Sequence, residues 1–209
     1  MSELNKEKEI VIIGYSGHSI EIINIIIDLG YKIKGYTELS EKKSNPHGLK
    51  YLGDENKGNF KYFDNKYLFF IAIGDNLIRK KKSDFLDSEG LVQINVIHPD
   101  SSISGNIKIG YGNFINRNAS INNYVQIGNG VIINTASVIE HDCRISDGVH
   151  IAPGAVLCGS VNVNKNTFIG ANSVINQNIT IGENVIIGSG SVVINDLPNG
   201  HKVYGNPAK

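Results

Sequence analysis

The sequence predicts a small Rossmann-like parallel α/β domain followed by a parallel β-helix built from hexapeptide repeats. The first observation behind this is an aliphatic residue at every sixth position across residues 97–193. Neither an α-helix nor the alternation of a single strand repeats at six, whereas a parallel β-helix does. The second is an alternation of apolar strands with helices in the first half of the chain, which is typical of a small parallel sheet. We therefore expect two domains, residues 1–97 and residues 98–209.

Within the repeat, each position has its own residue types. The aliphatic residue should point into the coil, and a small or β-branched residue two positions earlier should fill the crowded corner. The residue after the aliphatic is often Gly or Asn, which tolerate a positive φ, so we expect the chain to bend there. The aliphatic positions are Ile97, Ile103, Ile109, Ile115, Ile121, Ile127, Ile133, Ile139, Ile145, Ile151, Leu157, Val163, Ile169, Ile175, Ile181, Ile187 and Val193.

The first half of the chain follows a different pattern. We expect strands over 9–13, 31–36, 68–73 and 92–96 and helices over 18–29 and 77–87. The segment 37–65 should consist mainly of turns, with a short strand near 49–52. After residue 193 the tail, from 196 to 209, is expected to leave the six-residue register.

Composition excludes several classes of protein. Twenty basic and twenty acidic residues give a formal net charge of zero, so no nucleic-acid partner is indicated. Cys143 and Cys158 lack a CxxC spacing and should be reduced thiols, which favours the cytoplasm. The polar start, residues 1–9, does not resemble a secretory signal, and the apolar stretch 20–29 is too short to span a bilayer, so no membrane partner is expected.

Two motifs carry a family resemblance that covers the whole chain. Gly14-Tyr15-Ser16-Gly17-His18 follows the first strand, and Ile139-Glu140-His141-Asp142 lies in the middle of the repeats. The chain resembles the bacterial sugar acetyltransferases, which include N-acetyltransferases of nucleotide-linked 4-amino-4,6-dideoxy sugars and sialic acid O-acetyltransferases. The resemblance implies a left-handed β-helix, a homotrimer with active sites between neighbouring solenoids, and acetyl-CoA as co-substrate without a metal.

His141 is the candidate general base, because imidazole titrates near neutral pH. An acid on one ring nitrogen would fix the tautomer, and the family pattern assigns this role to Asp142 rather than to Glu140. Adjacent residues on a strand point to opposite faces, so the assignment requires a bend at the corner or an acid from another subunit. The alternative is that these residues form a solvated polar corner.

The resemblance also implies cofactor-binding residues. His150 would lie against acetyl-CoA, the Gly159 N–H would face the thioester carbonyl, and the backbone near Ala171 and Ser189 would contact the pantetheine arm. Lys209, together with Lys202, would meet the phosphates. The alternatives are an ordinary exposed histidine, a bend glycine and solvated lysines.

Substrate residues are expected at the ends of the N-terminal strands. The glycine loop opens a helix, where backbone N–H groups favour a phosphate, although it has only part of the dinucleotide fingerprint. Arg79 would pair with a phosphate, or else belong to a solvated helix face. His18 would touch the sugar or cap the helix. The expected substrate-binding residues are Gly14, Tyr15, Ser16, Gly17, His18, Thr37, Glu38, Gly74, Asn76 and Arg79.

The favoured function is N-acetylation of the 4-amino group of a nucleotide-linked 4-amino-4,6-dideoxy sugar, for surface polysaccharide (such as O-antigen) or glycan synthesis. The rival within the class is O-acetylation of a sialic acid. Two other classes stay open: a metal-dependent hydratase, which needs three converging zinc ligands, and a non-catalytic trimeric scaffold. The sequence names neither the nucleotide, which is dTDP, UDP or GDP, nor the sugar's stereochemistry.

Overall fold

The computed structural model describes residues 7–57 and 60–209 and divides the chain into two compact units, Met1–Val96 and Ile97–Lys209. Residues 1–6, which form most of the polar start that was compared with a secretory signal, lie outside the described residues. Residues 58 and 59, in the expected turn-rich segment, also lie outside them. In the described part of the chain, no helix combines the length and the apolar character that crossing a membrane requires.

The N-terminal unit contains a three-stranded parallel sheet with the strand order β2-β1-β3. Its elements are β1 (Ile10–Ile13), α1 (Gly17–Asp28), β2 (Ile33–Thr37), β3 (Leu68–Ile71) and α2 (Asn76–Ser88). All residues of β1 and β3 are buried, which explains why these strands are continuously apolar instead of alternating. The predicted parallel α/β fold is confirmed.

Two short strands expected from the sequence are reduced to single bridges. In the segment 92–96 only Gln93 pairs with the sheet, opposite Phe69, and near residue 50 only Tyr51 pairs, opposite Tyr36. The Gln93 side chain is buried and donates to the Ser83 carbonyl and the Asp87 carboxylate. This segment is therefore tied to α2 by a side chain, and the prediction of a regular fourth strand was wrong.

The second unit is a parallel β-helix whose three sides are sheets of seven, six and five strands. Every strand is two residues long and is separated from the next by a four-residue turn, except before the last. The strands are β4 (Val96–Ile97), β5 (Ser102–Ile103), β6 (Lys108–Ile109), β7 (Phe114–Ile115), β8 (Ser120–Ile121), β9 (Gln126–Ile127), β10 (Ile132–Ile133), β11 (Val138–Ile139), β12 (Arg144–Ile145), β13 (His150–Ile151), β14 (Val156–Leu157), β15 (Asn162–Val163), β16 (Phe168–Ile169), β17 (Val174–Ile175), β18 (Thr180–Ile181), β19 (Ile186–Ile187), β20 (Val192–Val193) and β21 (Lys202–Val203).

Stacking of the predicted aliphatic positions builds the core of this unit. On the seven-stranded side, Ile133, Ile151, Ile169 and Ile187 pair in succession, eighteen residues apart. From Ile115 onward every such position is buried, and so are the small residues two places earlier. The hexapeptide prediction is thereby confirmed, and the repeat follows from the need to fill each corner without voids.

The bend lies elsewhere in the repeat than expected. Positive φ values occur three residues after the aliphatic position, as at Asn118, Asp142 and Asn166, and not directly after it. The glycines directly after it serve close packing instead. A Cβ at Gly170, for example, would lie 2.5 Å from the Ile187 carbonyl oxygen on the next coil.

The tail leaves the six-residue register, yet it continues the stack. Val203 pairs with Ile187, which precedes it by sixteen residues instead of eighteen, and its side chain joins the core. Leu197 forms a similar bridge with Ile181. The shortened last coil closes the end of the β-helix with apolar side chains.

Candidate active site

His141 and Asp142 lie in the turn between β11 and β12, and their side chains are bonded to each other. The imidazole Nδ1 is 2.8 Å from Asp142 Oδ2. Asp142 occupies the bend position of the repeat with φ of +61°, so the chain turns between the two residues and their side chains meet. This is the bend that the sequence argument required. Both side chains are accessible in the protomer, with 61% and 55% of their surface exposed.

The pair has the geometry of a general base with its orienting acid. When Nδ1 carries the proton and donates it to Asp142, the lone pair of the ring lies on Nε2, and the carboxylate stabilises the imidazolium that forms after proton uptake. The other flanking acid does not compete for the ring. Glu140 accepts a hydrogen bond from the Asn122 amide at 2.7 Å, on the preceding coil.

The expected cofactor residues fall into two groups. Gly159 occupies the equivalent turn one coil after His141, and the two residues are neighbours. His150 lies on β13 of the seven-stranded sheet, in edge-to-face contact with Phe168 at 5.1 Å between ring centres. Ala171 and Ser189 occupy the turns that leave that sheet, and the Ala171 carbonyl accepts a bond from Gly190. These three positions lie on or just after strands of the seven-stranded sheet, whereas His141 follows β11 of the six-stranded sheet.

At the C-terminus, Lys209 is exposed and its backbone is paired with Tyr204 in both directions, at 3.1 Å. Its side chain therefore extends from an anchored backbone. Among the described residues, no three histidine, cysteine, aspartate or glutamate side chains form a group that could hold a metal ion.

The N-terminal unit contains a cavity of about 910 Å³ at the carboxyl ends of its strands. Six of the predicted substrate residues line it: Gly14, Tyr15, Ser16, Thr37, Glu38 and Gly74. Parallel α/β sheets bind ligands at this edge. The remaining predicted residues, Gly17, His18, Asn76 and Arg79, are not part of the described lining.

The glycine loop is shaped by its contacts with the sheet. Gly14 has φ of +89°, and a Cβ there would lie 2.5 Å from the Ile73 side chain, so only glycine fits. The Tyr15 N–H donates to Glu38 at 3.0 Å, and its hydroxyl donates to Asn45 at 2.8 Å. The Tyr15 N–H and hydroxyl are therefore bonded within the fold, while the residue still lines the cavity, and its role as a ligand contact stays a prediction.

Arg79 differs most from expectation. Its side chain is 1% exposed, and its guanidinium donates to the carbonyls of Ile73 and Gly74 and to the Asn76 side chain. Neither the expected phosphate contact nor a solvated helix face describes this arrangement. Arg79 instead fixes the turn between β3 and α2, and burial lowers its pKa to about 10.

Sequence reasoning missed the opposite wall of the cavity, which comes from the segment after residue 54 and from α2. Glu55 and Lys82 form an ion pair of 2.7 Å there, and the Glu55 side chain is only 8% exposed. Aromatic residues Phe60, Phe63 and Phe85 complete this wall. The available sequence signal for this wall was the basic run on α2, residues 79–82. In the structure Arg79 is buried, whereas Lys81 and Lys82 line the cavity.

Two buried polar atoms in the cavity wall lack a hydrogen-bond partner among the described residues. They are Thr37 Oγ1 and Glu55 Oε2. An unsatisfied buried polar group costs about 1–3 kcal/mol, so its presence in a cavity wall indicates a group that a ligand would satisfy.

His18, in the first turn of α1, makes the N-terminal unit sensitive to acid. Burial and then the nearby charge of Arg79 lower its pKa from 6.5 to about 4. The unfolded chain takes up a proton on this residue before the folded one, so stability falls as the pH drops from 6.5 towards 4. We expect the Tm of the His18→Asn variant to fall less over this interval than the wild-type Tm. Calorimetry at matched ionic strength measures both, and parallel curves would contradict the shift.

Family models match both units. A model of the PglD N-terminal domain matches residues 9–86, and a model of six bacterial transferase hexapeptide repeats matches residues 160–195. A comparison with curated proteins finds no match.

Solved structures similar to this chain include three bacterial proteins. Perosamine N-acetyltransferase from Caulobacter crescentus, solved as a histidine-to-asparagine variant with CoA and GDP-perosamine, is 30% identical, with a TM-score of 0.87 over 96% of this chain and 95% of its own. The acetyltransferase domain of PglB from Neisseria gonorrhoeae, solved with acetyl-CoA, is 29% identical, with a TM-score of 0.89 over 97% and 98%. WeeI from Acinetobacter baumannii is 25% identical, with a TM-score of 0.85 over 97% and 99%.

The agreement extends over both units and confirms the resemblance, including the left-handed sense of the β-helix. The interpretations as a hydratase or as a non-catalytic scaffold are therefore set aside. The protein is an acetyltransferase and belongs to the bacterial hexapeptide-repeat sugar acetyltransferases that carry a PglD-type N-terminal domain.

Proposed function

We propose that the protein transfers the acetyl group of acetyl-CoA to the 4-amino group of a nucleotide-linked 4-amino-4,6-dideoxy sugar, with His141 as the general base. The observation that carries the proposal is the His141–Asp142 pair, bonded at 2.8 Å and accessible on a β-helix of this family. The neighbour solved with both CoA and GDP-perosamine supports the class of both substrates.

In the reaction, the neutral amine of the sugar attacks the thioester carbonyl carbon, and the new C–N bond forms as the amine proton passes to His141 Nε2. Asp142 holds the resulting imidazolium. Collapse of the tetrahedral intermediate breaks the C–S bond, and the sulfur leaves as the thiol of CoA once it has received a proton from the imidazolium. The Gly159 N–H, which makes no hydrogen bond among the described residues, is the proposed donor to the oxyanion.

The remaining coenzyme contacts are assigned to His150, Ala171, Ser189 and Lys209. Because His150, Ala171 and Ser189 lie on a side of the β-helix other than the corner that holds His141, we infer that a neighbouring copy completes each active site. No resident metal has a part in the proposal.

The proposed assembly is a homotrimer, and the outer surface of the six-stranded sheet supports it. Val138, Val156, Val174 and Val192 stack there in register as an outward apolar stripe. The corresponding positions of the five-stranded sheet are polar, at Lys108, Gln126, Arg144, Asn162 and Thr180. An apolar stripe of this kind is typical of an interface. Sedimentation equilibrium measures the assembly, and a monomer would remove this part of the proposal.

The nucleotide is assigned to the N-terminal cavity. The start of α1 offers the backbone N–H of Gly17 to the diphosphate, since the N–H groups of the preceding loop are bonded within the fold. Thr37 Oγ1 and Glu55 Oε2, which lack partners among the described residues, offer hydrogen bonds to ribose or base. Lys57 and Lys81, which line the cavity, replace Arg79 as the candidate cations.

A carboxylate at the start of α1 tests the phosphate site. Gly17 has open space at its Cβ position, and its backbone is outside the left-handed region, so both Asp and Ala fit. We expect Gly17→Asp to raise the KM for the nucleotide sugar about tenfold or more by repelling the diphosphate. Its Tm should stay unchanged, because an acid favours a helix N-terminus. Gly17→Ala is the matched control, and equal KM values for the two variants would contradict the assignment.

The reaction belongs, in this proposal, to surface polysaccharide or glycan synthesis, including O-antigen. We place it in the cytoplasm, in keeping with the free thiols of Cys143 and Cys158.

The deciding experiment is an acceptor panel with acetyl-CoA, in which thiol release is followed for dTDP-, UDP- and GDP-linked 4-amino sugars beside free and CMP-linked sialic acid. Turnover with one amino sugar supports the proposal and identifies its base. Turnover with sialic acid alone would replace it with O-acetylation.

A further inference from the structure

We propose that Gly159 is a positioning residue for catalysis. Because it has no side chain, the His141 imidazole can keep the orientation in which it bonds to Asp142. The inference rests on the proposed role of His141 as the base. It is separate from the donor role of the Gly159 N–H, because it concerns the space above the Cα atom and not the amide.

The backbone register places the two residues face to face. The Ser160 N–H donates to the His141 carbonyl at 2.9 Å, so the turn that contains Gly159 lies directly on the turn that contains His141. A Cβ added at Gly159 would lie 2.7 Å from Cε1 and 2.8 Å from Nε2 of the imidazole. Real Cβ atoms do not approach other heavy atoms this closely, so the ring occupies the space that any larger residue at 159 would fill.

Two features of the structure therefore set the orientation of the ring. Asp142 holds the Nδ1 edge through the 2.8 Å bond, and the bare backbone at Gly159 gives room to the Cε1–Nε2 side. With 61% of its surface exposed, the side chain has few other contacts in the protomer. A side chain at position 159 would push the ring toward solvent. The ring would then lose its hydrogen bond to Asp142, and Nε2 would move away from the acceptor amine.

The column of equivalent turn positions contains a matched control. Residues 105, 123, 141, 159 and 177 follow one another at the eighteen-residue period, and the first of them is also a glycine. A Cβ at Gly105 would meet nothing within 4 Å. Neither glycine has a positive φ, so alanine fits the backbone at both places without strain.

Substitution by alanine separates the two roles of Gly159, because alanine keeps the backbone N–H. We expect Gly159→Ala to lower kcat by about ten- to a hundredfold, the usual cost of misplacing a reacting group by about 1 Å. The KM values for acetyl-CoA and for the sugar, and the Tm, should stay near the wild-type values, since an exposed ring moves at little cost to the fold. Gly105→Ala should change none of these quantities.

A double-mutant cycle with His141→Ala completes the test. If Gly159 acts through the ring, adding Gly159→Ala to His141→Ala should not lower the rate further. Wild-type activity in Gly159→Ala, a further loss in the double variant, or a marked fall in the Tm of Gly159→Ala would overturn the proposal. Near-normal activity in His141→Ala would instead remove the proposed base, which is a different failure.

Discussion

Replacing His141 with alanine is expected to lower kcat by about two to four orders of magnitude, the usual contribution of general base catalysis. The amine must lose a proton as it attacks the thioester, and the imidazole paired with Asp142 is the group assigned to take it. Steady-state rates with saturating acetyl-CoA measure the effect. The KM for the sugar should change little, because the cavity assigned to the nucleotide is in the N-terminal unit.

The two flanking acids provide the matched comparison. Asp142→Asn keeps the size of the side chain but removes the charge that fixes the tautomer and holds the imidazolium, so kcat should fall by at least tenfold. Glu140→Gln should leave kcat within about twofold, because Glu140 is bonded to Asn122 and not to the ring. A loss below tenfold in His141→Ala would mean that the amine proton passes to solvent or to another group.

Insertion of one residue directly after Ile169 should prevent the C-terminal coils from stacking. The inward positions Ile175, Ile181, Ile187 and Val193 are at most 1% exposed, and a single-residue slip moves every one of them out of register. Each buried aliphatic side chain contributes about 1.5–3 kcal/mol, so their combined loss is comparable to the whole stability of a typical domain. We expect aggregated protein, or a Tm lower by tens of degrees.

Duplication of residues 152–169, a complete eighteen-residue coil, is the control for this insertion. It adds far more chain but returns every downstream aliphatic residue to an inward position, so the protein should stay folded, with one additional strand on each side. Circular dichroism and thermal melting compare the two variants. A folded single-residue insertion, or an unfolded duplication, would contradict the stacking account.

The β-helix was readable from the sequence because its interactions are nearly one-dimensional. Each coil contacts mainly the coils before and after it, so the requirement for an aliphatic residue at positions such as Ile133 and Ile151 recurs at a fixed spacing. The N-terminal elements were predicted almost as well, since β1 and α1 differ clearly in apolar pattern. The segment 92–96 was harder to predict: only Gln93 pairs with the sheet, and its side chain is bonded to α2, a contact for which the apolar pattern gives no signal.

The His141–Asp142 pair was predictable in part. Ile139 is followed by the charged run Glu140-His141-Asp142, where the repeat usually has Gly or Asn, which made His141 a candidate, but the sequence could not decide how adjacent residues would meet. The φ of +61° at Asp142 turns the chain so that the two side chains meet. The bend was predicted at the wrong position, directly after the aliphatic residue, because glycine serves two purposes in the repeat. At Gly170 it permits close approach of two coils, whereas at Gly148 it adopts a positive φ.

By itself, the sequence determined the period of the coil, the two-part architecture and the identity of the histidine that stands out from the repeat, because each of these follows from residue type and spacing along the chain. Only the tertiary structure decided that Arg79 is buried against Ile73 and Gly74, that Glu55 faces the N-terminal cavity, and that Gly159 leaves room for the imidazole. The contacts of Arg79 and Glu55 lie outside the repeats, where the sequence has no periodic signal, and the eighteen-residue period that stacks Gly159 on His141 does not set the orientation of the imidazole. They are set by which side chains fit the space that the neighbouring backbone leaves.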